Sequence, residues 1–181
     1  MKKLPQIITR EDYEKLIKVA SKSSNRNRKK YILAMYLAAE AGLRISEIVG
    51  FKRKDGSEVP ALTKDKIDIQ MHRIFISSAK GKKDRIVPCP KSINENAIKL
   101  LPFKRSDRRN LQRFVTGLGL NVLNKHITFH SLRHYFGSQC AEKMQLHEVQ
   151  MLMGHSNLST TGIYLHANPT KAIEHALDVF D

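Results

Sequence analysis

Long apolar runs are missing from this chain of 181 residues. None approaches the roughly 18–20 residues that a membrane-spanning helix needs. The opening MKKLPQIITRED carries positive charge but no apolar core of a secretory leader. Cysteine is scarce: Cys89 and Cys140 are the only two, too few for a disulfide framework, so both read as packing residues of a cytoplasmic protein. Negative charge is scarce as well. Lys and Arg number 32 against 17 Asp and Glu, a net charge of +15. A chain this basic repels itself unless it meets a polyanion, and nucleic acid is the first candidate. There is no internal repeat and no low-complexity segment. The hydrophobic fraction of 41% is ordinary, and the length fits one domain with a real core.

The local code predicts a mostly α fold with a small antiparallel β-sheet, an α+β domain. Thr9 followed by Asp12 marks a helix start into EDYEKLIKVA. SKSSNRNRKK reads as a polar connector, and periodicity returns over Tyr31 to Ala41 with Ile32, Met35, Tyr36 and Ala39 on one face. Gly42 ends that helix or opens a turn. FKRKDGSEVPA reads as a turn-rich surface loop, broken by Asp55-Gly56 and Pro60. Short β-prone pieces follow at Ile67–Ile69, Arg73–Ser77 and Arg85–Pro88, with AKGKKD as a hairpin tip. Beyond Pro90 the pattern is helical, with weak breaks near Pro102, Gly117–Gly119, Gly154 and Pro169. TKAIEHALDVFD places Ile173, Ala176, Leu177 and Phe180 at helical spacing.

The residues that carry chemistry form an ordered series. Arg44 lies in AGLRISE, Lys80 in AKGKKDR, His130 and Arg133 in HSLRH, and His155 and Tyr164 in LMGHSNLSTTGIYLH. Breaking a phosphodiester by direct attack needs a nucleophile, a route for its proton, cations for the non-bridging oxygens and a proton for the leaving oxygen. Tyr164 is the nucleophile in this reading. Arg44 and Arg133 clamp the phosphate through their planar forks. His130 and His155 donate hydrogen bonds or move protons. Lys80, at a hairpin tip, reaches a DNA groove and protonates the leaving oxygen. No step needs a metal or another cofactor, and no small-molecule substrate is implied. His126, His130 and His134 recur every fourth residue, but Ser131 stands where a zinc-type helix motif would need its carboxylate in relation to His130, and His134 reads as packing beside the site. The basic residues Lys82, Lys83, Arg85, Lys104, Arg105, Arg108, Arg109 and Arg113 are candidates for backbone contact with double-stranded DNA.

This series resembles the tyrosine recombinase (phage integrase) family, including its Xer-like and archaeal or viral branches, and the resemblance covers the chain from about Leu4. It implies a catalytic domain spanning 1–181 that forms a 3′-phosphotyrosine through Tyr164 and releases a 5′ hydroxyl. It also implies strand exchange within a tetramer on DNA. Glu47 matches the family's acidic position and is expected to hold structure near the site. The helix within 170–181 is a candidate for docking on a neighbouring subunit. The family's N-terminal DNA-clamping domain is not expected within these residues, and FKRKDGSEVPA looks longer than the usual link at that point. A topoisomerase of type IB character and a non-catalytic DNA-binding module are the two alternative readings.

Overall fold

The computed structural model describes residues 7–77, 84–154 and 169–180. Helix α1 (Arg10–Ser21) starts where the sequence predicts. Thr9 Oγ1 accepts from the Asp12 backbone N–H at 3.1 Å, and Asp12 Oδ2 accepts from the Thr9 N–H at 3.2 Å. This reciprocal box satisfies two donors that a helix start otherwise leaves open. Lys125 adds a 2.6 Å ion pair to Asp12, tying α1 to a segment 113 residues further along the chain.

Helix α2 (Arg28–Ala39) is the core element. Leu33, Ala34, Met35, Leu37, Ala38 and Ala39 are all buried. A helix apolar nearly all round belongs in the middle of a domain, which is where α2 sits. The stripe read from sequence is therefore off: Ile32 and Tyr36 are only half-buried. The helix also begins earlier than its periodicity suggests, because Arg28, Lys29 and Lys30 form its first turn. The connector is correspondingly shorter than SKSSNRNRKK. Helix α6 (Phe129–Lys143), capped by Thr128 with Ser131, lies along α2, and Phe129, Leu132 and Phe136 complete the core.

FKRKDGSEVPA is not a plain loop. It is a two-stranded hairpin, β1 (Phe51–Lys52) with β2 (Glu58–Val59), paired Phe51 to Val59 and Lys52 to Glu58. Its turn is held by Asp55, whose Oδ1 accepts from the Ser57 N–H at 2.9 Å and from the Ser57 hydroxyl at 2.6 Å. Asp55-Gly56, read as a loop breaker, is the turn of the hairpin, and Pro60 follows β2. The main sheet is antiparallel in the order β3 (Ile67–Asp68), β4 (Arg73–Ile76), β5 (Arg85–Pro88). The pairing of Ile74 with Val87 and Ile76 with Arg85 puts these four residues on one inward face. The hairpin tip lies outside the described residues.

After the short α4 (Glu95–Ile98), helix α5 (Asp107–Leu123) runs unbroken through Gly117 and Gly119. These glycines do not end the helix. Gly119 allows close packing: a Cβ there would lie 2.5 Å from Ile127 Cγ1. Helix α7 (Leu146–Met153) stops at Gly154 in the left-handed region, φ +57°. Helix α8 (Pro169–Asp178) begins at the proline expected to mark a break, as a first-turn proline allows. It lies on its own domain. Ile173 and Ala176 are buried, and Phe180 stacks on Phe136 with ring centroids 6.0 Å apart. Cys89 and Cys140 are packing residues, as expected. Burial pushes both thiols up to about 12, with Asp68 adding to the effect at Cys89.

Candidate active site

Gly42 turns the chain out of α2 at φ +69°, with the Phe136 ring where a side chain would stand; its Cβ would meet Phe136 Cδ1 at 2.5 Å. The turn delivers Arg44 to the start of α3 (Ile45–Val49). There Glu47 folds back, and its Oε2 accepts from the Arg44 backbone N–H at 2.8 Å. The Arg44 guanidinium donates to Glu47 Oε1 at 3.1 Å and to the Gly154 carbonyl at 3.0 Å.

Two more arginines converge on the same place. Arg133, on the buried side of α6, donates to the carbonyls of Gly42 and Met153. Arg85, from β5, makes a two-pronged pair with Glu47 at 2.9 and 2.8 Å and donates Nε to the Leu152 carbonyl at 3.0 Å. The last three carbonyls at the end of α7 are thus each taken by a different arginine. A helix C-terminus carries partial negative charge on its open carbonyls, so it suits cations.

Three guanidinium charges surround one carboxylate, and the cluster stays cationic. Burial raises the Glu47 carboxyl, but the hydrogen bonds and charge of Arg85, with those of Arg44, outweigh it and hold Glu47 at about 2. Burial brings Arg133 down to about 9, helped by repulsion from Arg44 and Arg85 and opposed by Glu47, so it stays charged at neutral pH. Exposure sorts the set. The Arg44 side chain is 32% exposed, Glu47 15% and Arg85 8%. Arg44 is the outer edge of the cluster, and Arg85 and Arg133 lie beneath it.

The structure therefore unites Arg44, Glu47 and Arg133, as the sequence suggests. It corrects Arg85, read as a DNA-facing residue. Its guanidinium is sealed against Glu47 and Leu152, with no face left for a duplex backbone. The signal was present in the sequence: in RIVP, Arg85 shares the strand face of Val87, which is core. His130 and His134 sit on the exposed side of α6, with their Nε2 atoms 2.8 Å apart. One nitrogen carries the proton and the other accepts it. Burial, then the neighbouring His130 and Arg133, lowers His134 below the usual imidazole value and favours its neutral form. No described hydrogen bond links this pair to the arginine cluster. Lys80, Lys82, Lys83, His155 and Tyr164 lie outside the described residues. Among the described residues no group of His, Cys, Asp and Glu is placed to hold a metal ion.

Beside the cluster, α5 lines an open groove of about 1040 Å³. Arg105, Arg108, Arg109 and Arg113 stand along it, and Ile45, next to Arg44, also lines it. All four arginines and Lys104 are exposed. The weak 3.8 Å pair of Arg105 with Glu58 links this face to the β1–β2 hairpin.

The chain belongs to the phage integrase family, whose sequence profile matches residues 6–171. Tyrosine recombinase XerA of Thermococcus kodakarensis is 32% identical over 179 residues, covering 89% of this chain and 58% of that protein. Tyrosine recombinase XerC of Mannheimia succiniciproducens is 30% identical over 199 residues, covering 99% of this chain and 61% of its own length. This chain thus spans about three fifths of the relatives it matches. Among solved structures, XerA recombinase superimposes with a TM-score of 0.62 at 23% identity, over 96% of this chain and 64% of that one. The XerH recombinase bound to its difH substrate gives 0.63 at 21% identity, over 99% and 55%. These likenesses establish the fold as that of a tyrosine recombinase catalytic domain. No helix among the described residues is long and apolar enough to cross a membrane.

Proposed function

We propose that this chain is the catalytic domain of a site-specific recombinase or integrase that cuts and rejoins double-stranded DNA. The observation that carries the reading is the meeting of Arg44 and Arg133, distant in sequence, on successive carbonyls at the end of α7, immediately before His155. In the proposed reaction the Tyr164 hydroxyl oxygen attacks phosphorus, and its proton passes to a histidine of the set. The bond from phosphorus to the 5′ oxygen breaks, and that oxygen leaves as a hydroxyl with a proton from Lys80. The DNA 3′ end remains as a phosphotyrosine. The 5′ hydroxyl of a second strand reverses the step, so neither ATP nor metal is consumed.

Arg44, the exposed edge of the cluster, is the direct phosphate ligand in this scheme. Arg133 spends two of its five N–H donors on the Gly42 and Met153 carbonyls, which leaves others for a phosphate oxygen. The α5 groove carries the flanking duplex, and Arg105, Arg108, Arg109 and Arg113 bind its backbone without reading sequence. Full exchange takes place in a tetramer on DNA, in which α8 gives up its packing on its own domain to dock on a neighbour. The work is done in the cytoplasm.

Covalent trapping tests the reading. The chain is incubated at low salt with a nicked duplex whose short cleaved strand diffuses away, then run on a denaturing gel beside Tyr164→Phe. A protein–DNA band lost in the mutant is expected. DNA that is bound but never attached would leave a binding module instead. On a closed supercoiled plasmid, relaxed circles without exchanged strands would leave a topoisomerase.

A further inference from the structure

Arg85 has no role in the scheme above and Gly154 enters it only through its carbonyl, yet the two meet at its centre. Arg85 uses both ends of its fork on Glu47 and its Nε on Leu152. Each Glu47 oxygen is shared with Arg44: Oε1 with its guanidinium and Oε2 with its backbone N–H. Two arginines therefore compete for one carboxylate. The Arg85 pair is two-pronged and only 8% exposed, whereas Arg44 holds Glu47 by a single prong of its side chain and is 32% exposed. A two-pronged pair in a low-dielectric pocket outcompetes a single prong at its rim. Gly154 makes room for this. A Cβ on it would stand 3.0 Å from Arg85 Cδ, 3.2 Å from Nε and 3.3 Å from Cζ.

We propose that Arg85 is a positioning residue for strand cleavage, which occupies Glu47 so that Arg44 keeps its charge for the phosphate, and which anchors the end of α7 through Leu152. Gly154 is bare of a side chain so that Arg85 can lie against it. The inference rests on the function proposed above. When Arg85 is replaced by a neutral residue, Glu47 turns wholly to Arg44, closes a two-pronged pair on it and withdraws it from DNA. The end of α7 then also loses its anchor at Leu152, three residues before His155.

The test compares Arg85→Gln, Gly154→Ala and the double variant Arg85→Gln with Glu47→Gln, by single-turnover adduct formation at saturating protein and by DNA affinity measured separately. Arg85→Gln is expected to slow cleavage about a hundredfold, the scale of losing one well-placed donor to a reacting phosphate, with affinity almost unchanged. The double variant regains about tenfold or more, because a neutral amide in place of the Glu47 carboxylate no longer holds Arg44. Gly154→Ala slows cleavage less and also spares affinity. A purely structural role predicts the opposite for the double variant, which has lost still more of the buried pair. No rescue, or wild-type cleavage by Arg85→Gln, overturns the proposal.

A second readout does not depend on cleavage. The Arg44 Nε–H resonance, assigned by its loss in Arg44→Lys, is expected to shift in Arg85→Gln and to return toward its original position in the double variant. If Arg85→Gln does not fold, Gly154→Ala takes its place, and an unmoved Arg44 resonance there overturns the proposal. If the wild-type chain forms no adduct, the recombinase reading fails, and the resonance still decides whether Arg85 governs Arg44.

Discussion

Two arginine-rich regions lie side by side in this protein and behave as different materials. Around Glu47, Arg44, Arg85 and Arg133 are packed against a carboxylate and the carbonyls of α7, with Arg133 only 4% exposed. Along α5, Arg105, Arg108, Arg109 and Arg113 stand in solvent beside the groove. The residue type is the same. In the first region a lost partner leaves Arg85 or Arg133 as a buried charge that water barely reaches, so these two are part of the fold. In the second, water solvates each charge, so the arginines are available to a polyanion and nearly silent in stability.

The sharpest way to break this contrast is Glu47→Ala. It leaves Arg85 buried without its counter-charge, which is expected to cost about 3–5 kcal/mol in urea unfolding. A loss no larger than that of Arg109→Ala would mean that the two regions do not differ. Acid is a gentler probe of the same site. The Glu47 carboxyl is held at about 2 against an ordinary 4.5, so its stabilisation is complete above pH 4.5 and is lost as pH falls from there toward 2. The full difference is on the order of 3 kcal/mol. Urea midpoints of the wild type should fall across that window, and those of Glu47→Gln should fall less. Equal slopes would place the acid sensitivity elsewhere.

The α5 face is sharpened by binding rather than by unfolding. Replacing Arg108 and Arg109 by Ala should reduce the slope of log K against log salt by about one for each phosphate no longer neutralised. Stability should stay within about 0.5 kcal/mol of wild type. A changed melting temperature with an unchanged salt slope would make α5 a structural face instead. The smallest effect belongs to Glu58→Gln, which removes the exposed 3.8 Å partner of Arg105. Its melting temperature is expected to match the wild type, and a clear drop would show that the β1–β2 hairpin depends on that pair.

Where a structural feature is written in adjacent residues, the sequence reveals it. Thr9 with Asp12 starts α1, Gly154 ends α7, and RIVP is a strand over its whole length. Readings slip where local signals have two physical outcomes. Asp55-Gly56 breaks a helix, yet it also makes the tight turn that joins β1 to β2. Gly119 looks like a helix end until Ile127 is seen filling the place of its side chain. Lys and Arg at 28–30 look like linker, yet they make the first turn of an otherwise buried helix, with Lys30 paired to Asp107 at 2.7 Å.

By itself the sequence determined the chemical inventory: the basic excess, the order of Arg44, Lys80, His130, Arg133, His155 and Tyr164, and the family to which they point. It also determined the start of α1, because a capping box acts over three or four residues. Only the tertiary structure decided which partners each arginine meets. Arg85 and Arg109 are alike as letters in a chain. One meets Glu47 and the Leu152 carbonyl, brought from distant segments by packing of the core, and the other meets water. An arginine's role follows from the partners and the dielectric around it, and the long-range fold supplies both.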